Sequence, residues 1–229
     1  MRKTAIFSLS GCAAFLALSL SAHANTIIIT QPTAGYEAAT VDYGGGDASG
    51  SFITALGPFN FSTSMQEDYI TSSVSVPNGW LTWNMPPSVE SSSPNVLAVY
   101  NVSTVTMTIS GNPTIVGFEL EPNNFYQNDF LNANFYDGAT LIGSASYTGG
   151  ISSNGGARLF ALEDTTPGQT ITSVTITNDS DPYGFAIANL RTGSGTIPPV
   201  PEPTSLSLFG LGMLGLAGLV YYRKRRRSV

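Results

Sequence analysis

Cysteine and histidine are almost absent from this chain of 229 residues, which contains only Cys12 and His23. Both lie in an N-terminal stretch that we expect to be removed, so the mature chain would have neither. Without cysteine there is no disulfide framework and no thiol nucleophile, and the fold must be held by its own core. Without histidine there is no Ser-His-Asp triad, no zinc site of ordinary type and no side chain that ordinarily titrates near neutrality. Most hydrolase mechanisms are therefore excluded.

The stretch that we expect to be removed, residues 1–24, has the pattern of a secretory signal peptide. Residues 1–3 include two basic side chains, residues 4–20 are apolar and small, and Ala22 and Ala24 have the A-x-A spacing of a signal-peptidase site. The mature chain would then begin near Asn25, outside the cytoplasm. The alternative is a lipoprotein box ending at Cys12, but the apolar run before it is short and continues past it.

Basic residues are also scarce in the middle of the chain. Between Asn25 and Thr196, fourteen Asp and Glu stand against Arg158 and Arg191 and no lysine, which gives 2 − 14 = −12. A surface of this charge repels polyanions, so we expect no nucleic-acid partner. The roughly 170 residues before the C-terminal linker suit one domain with a proper core, residues 25–192.

Long helical patterns are missing from this domain, and short runs of Val, Ile, Thr, Phe and Tyr alternate with Gly, Asn, Pro and Ser. This pattern predicts an all-β fold, a jelly-roll-like two-sheet β-sandwich of nine or ten strands. Residues 103–110 and 114–120 are predicted to pair as one hairpin, and Asp137-Gly138 is predicted to form the turn of another. The remaining predicted strands are residues 26–30, 51–54, 70–76, 158–162, 171–177 and 185–190, with Pro167-Gly168 as a turn and the last strand closing the sheet.

Glu119 and Glu121 are the candidate catalytic pair. They lie two apart on a predicted strand, so both face the same way with Cα atoms about 6.6 Å apart. Two carboxylates at such a spacing serve as acid and as nucleophile or base in glycosidases. The polar face of a solvated strand gives the same pattern without any chemistry, and that interpretation is favoured.

Calcium is the one metal that the sequence suggests. Asp179 and Asp181, with Asn178 between two predicted strands, offer oxygen ligands, and Glu163-Asp164 forms a second acidic corner. No twelve-residue loop of the EF-hand type is present, and Asx turns explain both segments equally well. No cofactor is otherwise expected.

Four aromatic residues lie in or beside predicted loops, where exposed rings stack on sugars: Trp80, Trp83, Phe125 and Tyr126. Trp80 and Trp83 are three apart, so on a strand they point to opposite faces. Tryptophan in a sandwich is more often part of the core, but these opposite directions allow one of the two to be exposed, where it would contact a glycan.

The C-terminal end is organised as a membrane segment. Residues 193–200 form a Gly/Ser/Pro linker without a core, residues 206–222 carry no charge, and a transmembrane helix is predicted over residues 205–222. A stop-transfer cluster follows, which the positive-inside rule leaves in the cytoplasm: Arg223, Lys224, Arg225, Arg226 and Arg227. On these grounds alone the tail is a plain single-pass anchor.

The order of motifs in the tail suggests more. Pro201, Glu202 and Pro203 precede a Gly- and Leu-rich span and an Arg-rich end, and this order resembles the PEP-CTERM sorting signal of exopolysaccharide-producing Gram-negative bacteria. The resemblance implies that an exosortase, a membrane-embedded peptidase or transpeptidase, acts near the Pro-Glu-Pro. The chain would be exported across the inner membrane, held transiently by the tail, and then released or transferred to the cell surface or matrix.

The body resembles the β-sandwich ectodomains of such proteins through residues 117–123, 132–138 and 184–191. Related jelly rolls often carry an acidic residue near the position of Asn189. This chain has Ala188 and Asn189 there, which argues against an ion site built on such a residue. We therefore expect a non-enzymatic surface or matrix protein associated with exopolysaccharide or biofilm. A carbohydrate-binding module is the alternative, and a glycoside hydrolase using Glu119 and Glu121 is the third.

Overall fold

A computed structural model describes residues 26–71, 79–123, 129–149, 156–179 and 183–197. Within these ranges the chain forms thirteen strands and one short helix, which confirms the all-β prediction. The elements are β1 (Thr26–Ile29), α1 (Ala34–Ala39), β2 (Val41–Asp42), β3 (Phe52–Leu56), β4 (Phe59–Ile70), β5 (Gly79–Trp80), β6 (Asn95–Tyr100), β7 (Thr104–Ile109), β8 (Ile115–Pro122), β9 (Asp129–Asp137), β10 (Thr140–Gly149), β11 (Arg158–Asp164), β12 (Ser173–Asn178) and β13 (Gly184–Gly193).

The strands are joined in one sheet, in the order β1-β11-β8-β13-β6-β4-β7-β12-β9-β10. All pairs along this order are antiparallel. The sheet curls until its two ends meet, where the Thr26 hydroxyl donates to the carbonyl of Ile142 at 3.2 Å. The predicted two layers are thus the halves of one sheet that almost closes into a barrel.

The main core fills the inside of this near-barrel. Val116, Phe118 and Leu120 of β8 point into it, as their alternation predicts. Phe118 stacks on Phe160 with ring centroids 6.3 Å apart and planes at 9°. β8 is nevertheless buried at every position, so its outer face is covered as well.

Two segments cover the outer face of the sheet. Residues 79–95 place Trp80, Trp83 and Val89 over the outward side chains of β6 and β13. Beside them, α1 packs the fully buried Tyr36 against Ile115 and its neighbours. Thr33 caps the N-terminus of the helix, since its hydroxyl accepts the Tyr36 amide at 3.2 Å. The helix ends after one and a half turns, before an extended Thr40.

The structure confirms one predicted hairpin and shows that the other is wrong. β9 and β10 pair around a two-residue loop, but the loop is Gly138-Ala139, one residue later than predicted, and only Gly138 has positive φ, at 57°. β7 and β8 do not pair with each other. β7 lies between β4 and β12, because the connection at residues 110–113 is bonded to Pro58 and Ile171 and carries the chain to the other half.

Two smaller expectations change. β13 does not close the sheet; it lies in the interior between β8 and β6. Of the predicted strand at residues 70–76, only Ile70 and Thr71 are described, and only Ile70, the last residue of β4, is in a strand. The predicted signal peptide, sorting tail and spanning helix all lie outside the described residues, and within those no helix is long and apolar enough to cross a bilayer.

Candidate functional site

Glu119 and Glu121 lie side by side on the outer face of β8, as their spacing predicts, but that face is not solvated. Both residues are fully buried, with 0% of their surface exposed. The interpretation of this face as a solvated polar surface is therefore wrong. The cover formed by residues 79–95, whose sequence has no regular periodicity, accounts for the difference.

Every oxygen of the Glu121 carboxylate accepts a hydrogen bond from the protein. The indole Nε1 of Trp80 donates to Oε2 at 2.8 Å. The Thr82 hydroxyl and the Gly156 amide both donate to Oε1, at 3.1 and 2.8 Å. Two separate segments, residues 80–82 and the chain at Gly156, are thus held to β8 by one side chain.

Glu119 is bound in the same way. The indole Nε1 of Trp83 donates to its Oε2 at 2.9 Å, and the amide of Glu90 donates to its Oε1. The side chain of Asn189 on β13 is also hydrogen-bonded to this carboxylate. The two glutamates therefore bind the cover to β8 at several points between Trp80 and Glu90.

Burial has a large effect on the acidity of this pair. Desolvation raises the pKa of Glu119 and of Glu121 to about 7, against the lowering effect of their hydrogen bonds. Asp68, on the outer face of β4, is also fully buried and accepts the Tyr100 hydroxyl at 2.7 Å. Desolvation raises the pKa of this carboxyl as well.

A β-bulge in β13 brings two further polar residues to this face. Asn189 has φ of 48°, and the register against β8 shifts between Ala188 and Arg191. Such a bulge re-aims the side chains that follow it, so Leu190 stays in the main core while Arg191 points outward. The guanidinium of Arg191 binds both oxygens of Glu90, at 2.7 and 2.6 Å.

Small residues make room for the two indoles. The outward positions beneath the cover are Ala98 on β6 and Ala186 and Ala188 on β13. Because these side chains are short, the indole rings lie close to the sheet and reach across it to the carboxylates. The alanines were visible in the sequence, but only their pairing beside Glu119 and Glu121 gives them this meaning.

Both tryptophans are buried, as is usual in a sandwich, and the alternative that one of them is exposed is wrong. Trp80 and Trp83 are each only 4% exposed, because just Gly79–Trp80 is strand and the chain then turns so that both indoles face the sheet. Trp83 does line one side of an open groove of about 380 Å³ on the outer surface of the cover. Phe125 and Tyr126 lie outside the described residues.

Of the residues suggested for calcium, Asp179 is exposed directly after β12, and the others are bonded elsewhere or lie outside the described residues. Asp181 lies outside the described residues, whereas Asn178 is buried and its amide donates to the Gly184 carbonyl at 3.2 Å. Glu163 and Asp164 accept the amides of Ile197 and Thr166. Across the described ranges, no three acidic residues are grouped to hold a metal ion.

The N-terminal half of the predicted linker is part of the body. β13 extends to Gly193, and the Thr114 hydroxyl then donates to the Gly195 carbonyl at 3.2 Å while accepting its amide at 3.1 Å. Ile197 packs against the buried cluster that includes Tyr36 and Ile115. The prediction of a core-free spacer from residue 193 is wrong up to residue 197.

Comparison with known proteins bears on the segment that follows. The family model of the PEP-CTERM protein-sorting motif matches residues 199–226. The chain carries a PEP-CTERM sorting motif. The motif implies processing by an exosortase, a membrane enzyme, and export to the cell surface or beyond it.

No curated protein matches the chain. Among solved structures, the enzymatically active domain of bacteriophage CBA120 tailspike protein 4 aligns with 15% identity and a TM-score of 0.32. The alignment covers 66% of this chain and 21% of that one, so the chain spans about a fifth of its length.

Proposed function

We propose that the protein is an exported, non-enzymatic component of the cell surface or extracellular matrix, which an exosortase sorts through the motif at residues 199–226. We further propose that it associates with exopolysaccharide or biofilm. The observation that carries the non-enzymatic part is the complete burial of Glu119 and Glu121. On this proposal the pair is structural, and the tail determines where the body goes.

The hydrogen bonds of the pair support this proposal. A glycosidase acid must reach the leaving-group oxygen of its substrate, and its partner must reach the sugar carbon or a water. Here all four carboxylate oxygens accept donors from Trp80, Trp83, Thr82, Glu90 and Gly156. With the indoles packed above them, the carboxylates hold the cover on the sheet and leave no face for a substrate.

The test uses Glu119→Gln and Glu121→Gln, with the exposed Glu37→Gln as the matched control. The NH₂ group of an amide cannot accept a bond from indole, hydroxyl or backbone donors. At pH 5, where the pair is protonated and holds no buried charge, each buried substitution should therefore lower the free energy of unfolding by about 1–3 kcal/mol. Denaturant unfolding measures this effect, and Glu37→Gln should be neutral. Polysaccharide hydrolysis by the unmodified protein that disappears in a variant of unchanged stability would contradict the proposal.

A carbohydrate-binding module is the second candidate, and the groove on the cover favours it. Its lining combines two aliphatic side chains, four hydroxyls and one indole, without any charge: Ile70, Thr71, Leu81, Thr82, Trp83, Ser92 and Ser93. In a body of net charge −12, an uncharged groove of this chemistry suits a neutral sugar.

This second function is tested at Leu81, which is 42% exposed, because replacing either tryptophan would disturb the fold. Saturable binding of neutral oligosaccharides, measured by calorimetry, should weaken in Leu81→Ala. Met85→Ala, at another exposed position of the same segment, should bind as the unmodified protein does. The candidate fails if no neutral glycan binds, or if both variants bind equally well.

A further inference from the structure

Both ends of the described chain leave the body at one place. Thr26, the first described residue, is paired with Asp164 at the end of β11. At the other terminus, the amide of Ile197 donates to Oε1 of Glu163 at 2.9 Å. The predicted signal peptide and the sorting tail therefore connect to neighbouring points on the same end of the near-barrel.

The tether between this end and the sorting motif is short. The body holds the chain through Gly195 and Ile197, and Pro201 follows only four residues later. Four extended residues span at most about 14 Å. A compact body of about 170 residues has a radius of gyration of about 16 Å, so the tether is shorter than the body that it carries.

The turns around this exit are almost without charge. Residues 110–113, 137–140 and 165–170 are brought together by bonds to residues 171–172, in which the Ile171 amide donates to the Pro113 carbonyl and the Gly138 amide to the Thr172 hydroxyl, both at 2.8 Å. Asp137 is the single charged residue in these three turns. Glu163 and Asp164, next to the exit, are only 2% and 1% exposed, so for a body of net charge −12 these turns present little negative charge to a membrane surface.

We propose that this exit end, made of residues 110–113, 137–140, 165–170 and 193–197, docks against the exosortase while the motif is being processed. The inference rests on the proposed sorting and adds an orientation to it. The enzyme lies in the membrane, and a body on so short a tether must contact it when the Pro-Glu-Pro enters its site. The chain termini therefore face the enzyme, and the opposite end, with Ser103 and Tyr183, faces away.

The experiment is photo-crosslinking in the protein's own cells, with full-length chains that carry p-benzoylphenylalanine at one exposed position. Ala139 and Pro167 lie in the exit turns, and Ser103 lies between β6 and β7 at the opposite end. Crosslinks to the exosortase are expected from Ala139 and Pro167, with none above background from Ser103. Equal crosslinking from all three positions, or crosslinks to lipid alone, would overturn the proposal.

Intact-mass analysis of the same samples separates this inference from the proposed sorting. A removed tail without any preference between the two ends contradicts only the orientation. A tail retained in every variant contradicts the sorting itself.

The role of the short tether is tested by an insertion of about twelve Gly and Ser residues between Ile197 and Pro198, which adds roughly 19 Å of mean reach. The tail should still be removed, and crosslinking from Ala139 should be lost. An unchanged crosslinking pattern would show that the short tether is not what brings this end to the enzyme.

Discussion

At the scale of single residues, the attachment of the cover to β8 depends on Glu119 and Glu121, whose carboxylates accept hydrogen bonds from five residues. The i, i+2 spacing of Glu119 and Glu121 predicts a shared face, and they share one. Whether that face is exposed to solvent depends on residues 79–95. These residues cover it, but their sequence has neither strand nor helix periodicity. Trp80 and Trp83 show the same limit, because their opposite directions follow only if residues 80–83 form a strand.

The raised pKa values of the buried pair predict how stability depends on pH. Because folding raises the pKa of Glu119 and Glu121 from 4.5 to about 7, the folded state binds protons more tightly than the unfolded chain. Their contribution to stability is therefore complete below about pH 4.5 and is lost as the pH rises through about 7. The free energy of unfolding in urea should be higher at pH 5 than at pH 8, and the difference should be about 3 kcal/mol for each group.

The Gln variants supply the control for this prediction. Each removes one titrating group, so the change in stability between pH 5 and pH 8 should become smaller. Asp68 and Glu90, whose pKa burial also raises, act in the same direction and keep part of the dependence. A pH dependence that is identical in the unmodified protein and in both variants would mean that these carboxyls do not titrate in this range.

At the scale of elements, alternation predicts the inner faces well and the pairing poorly. Val116, Phe118 and Leu120 point inward as expected, and the turn beginning near Gly138 is recognisable from its glycine. The partners of β7 are not recognisable from the sequence. A short polar connection after a strand favours a hairpin with the next strand, but strands that are distant in sequence can pair with the same edge. Here β12 and β4 occupy both of its edges.

Gly117 on β8 shows how closely the outer layer is packed. A Cβ at this position would lie 2.1 Å from the Tyr36 hydroxyl oxygen and 2.6 Å from the Cβ of Ala161. Replacing glycine in a strand ordinarily stabilises it, but overpacking of this kind costs about 1–3 kcal/mol. Gly117→Ala should therefore lower the thermal unfolding temperature.

A second substitution identifies the contact responsible. Tyr36→Phe removes the nearest atom, so the double variant should recover part of the stability that Gly117→Ala loses. The same unfolding temperature in Gly117→Ala and in the unmodified protein would contradict the close approach of α1 to β8.

At the scale of the whole molecule, the sorting signal is the feature that the sequence predicts best, because the order of its motifs is enough to identify it. The arrangement of the sheet is set by pairings between residues far apart in the chain, such as Thr26 with Asp164, and no local pattern encodes these. The docking of residues 193–197 is not predicted, because Gly, Ser and Thr are typical of linkers.

The docked linker makes a prediction that hydrogen exchange can test. The amides of Gly195 and Ile197 are bonded to Thr114 and Glu163, so in the folded protein they should exchange more slowly than in an unstructured peptide of the same sequence. Ile197→Ala, which removes apolar contact with the Tyr36 cluster, should raise the exchange rate at both sites. If both amides of the unmodified protein exchange at unstructured-peptide rates, residues 193–197 belong to the unfolded spacer that the sequence predicts.

The central claim for the whole molecule is that the tail is a signal that is read and removed. Intact-mass spectrometry of the protein recovered from its own cells, their surface and the medium locates both ends of the mature chain in one measurement. We expect a form that begins near Asn25 and ends close to Pro201. A steady-state chain that still carries residues 223–229 would contradict the claim and leave a protein held permanently in the membrane.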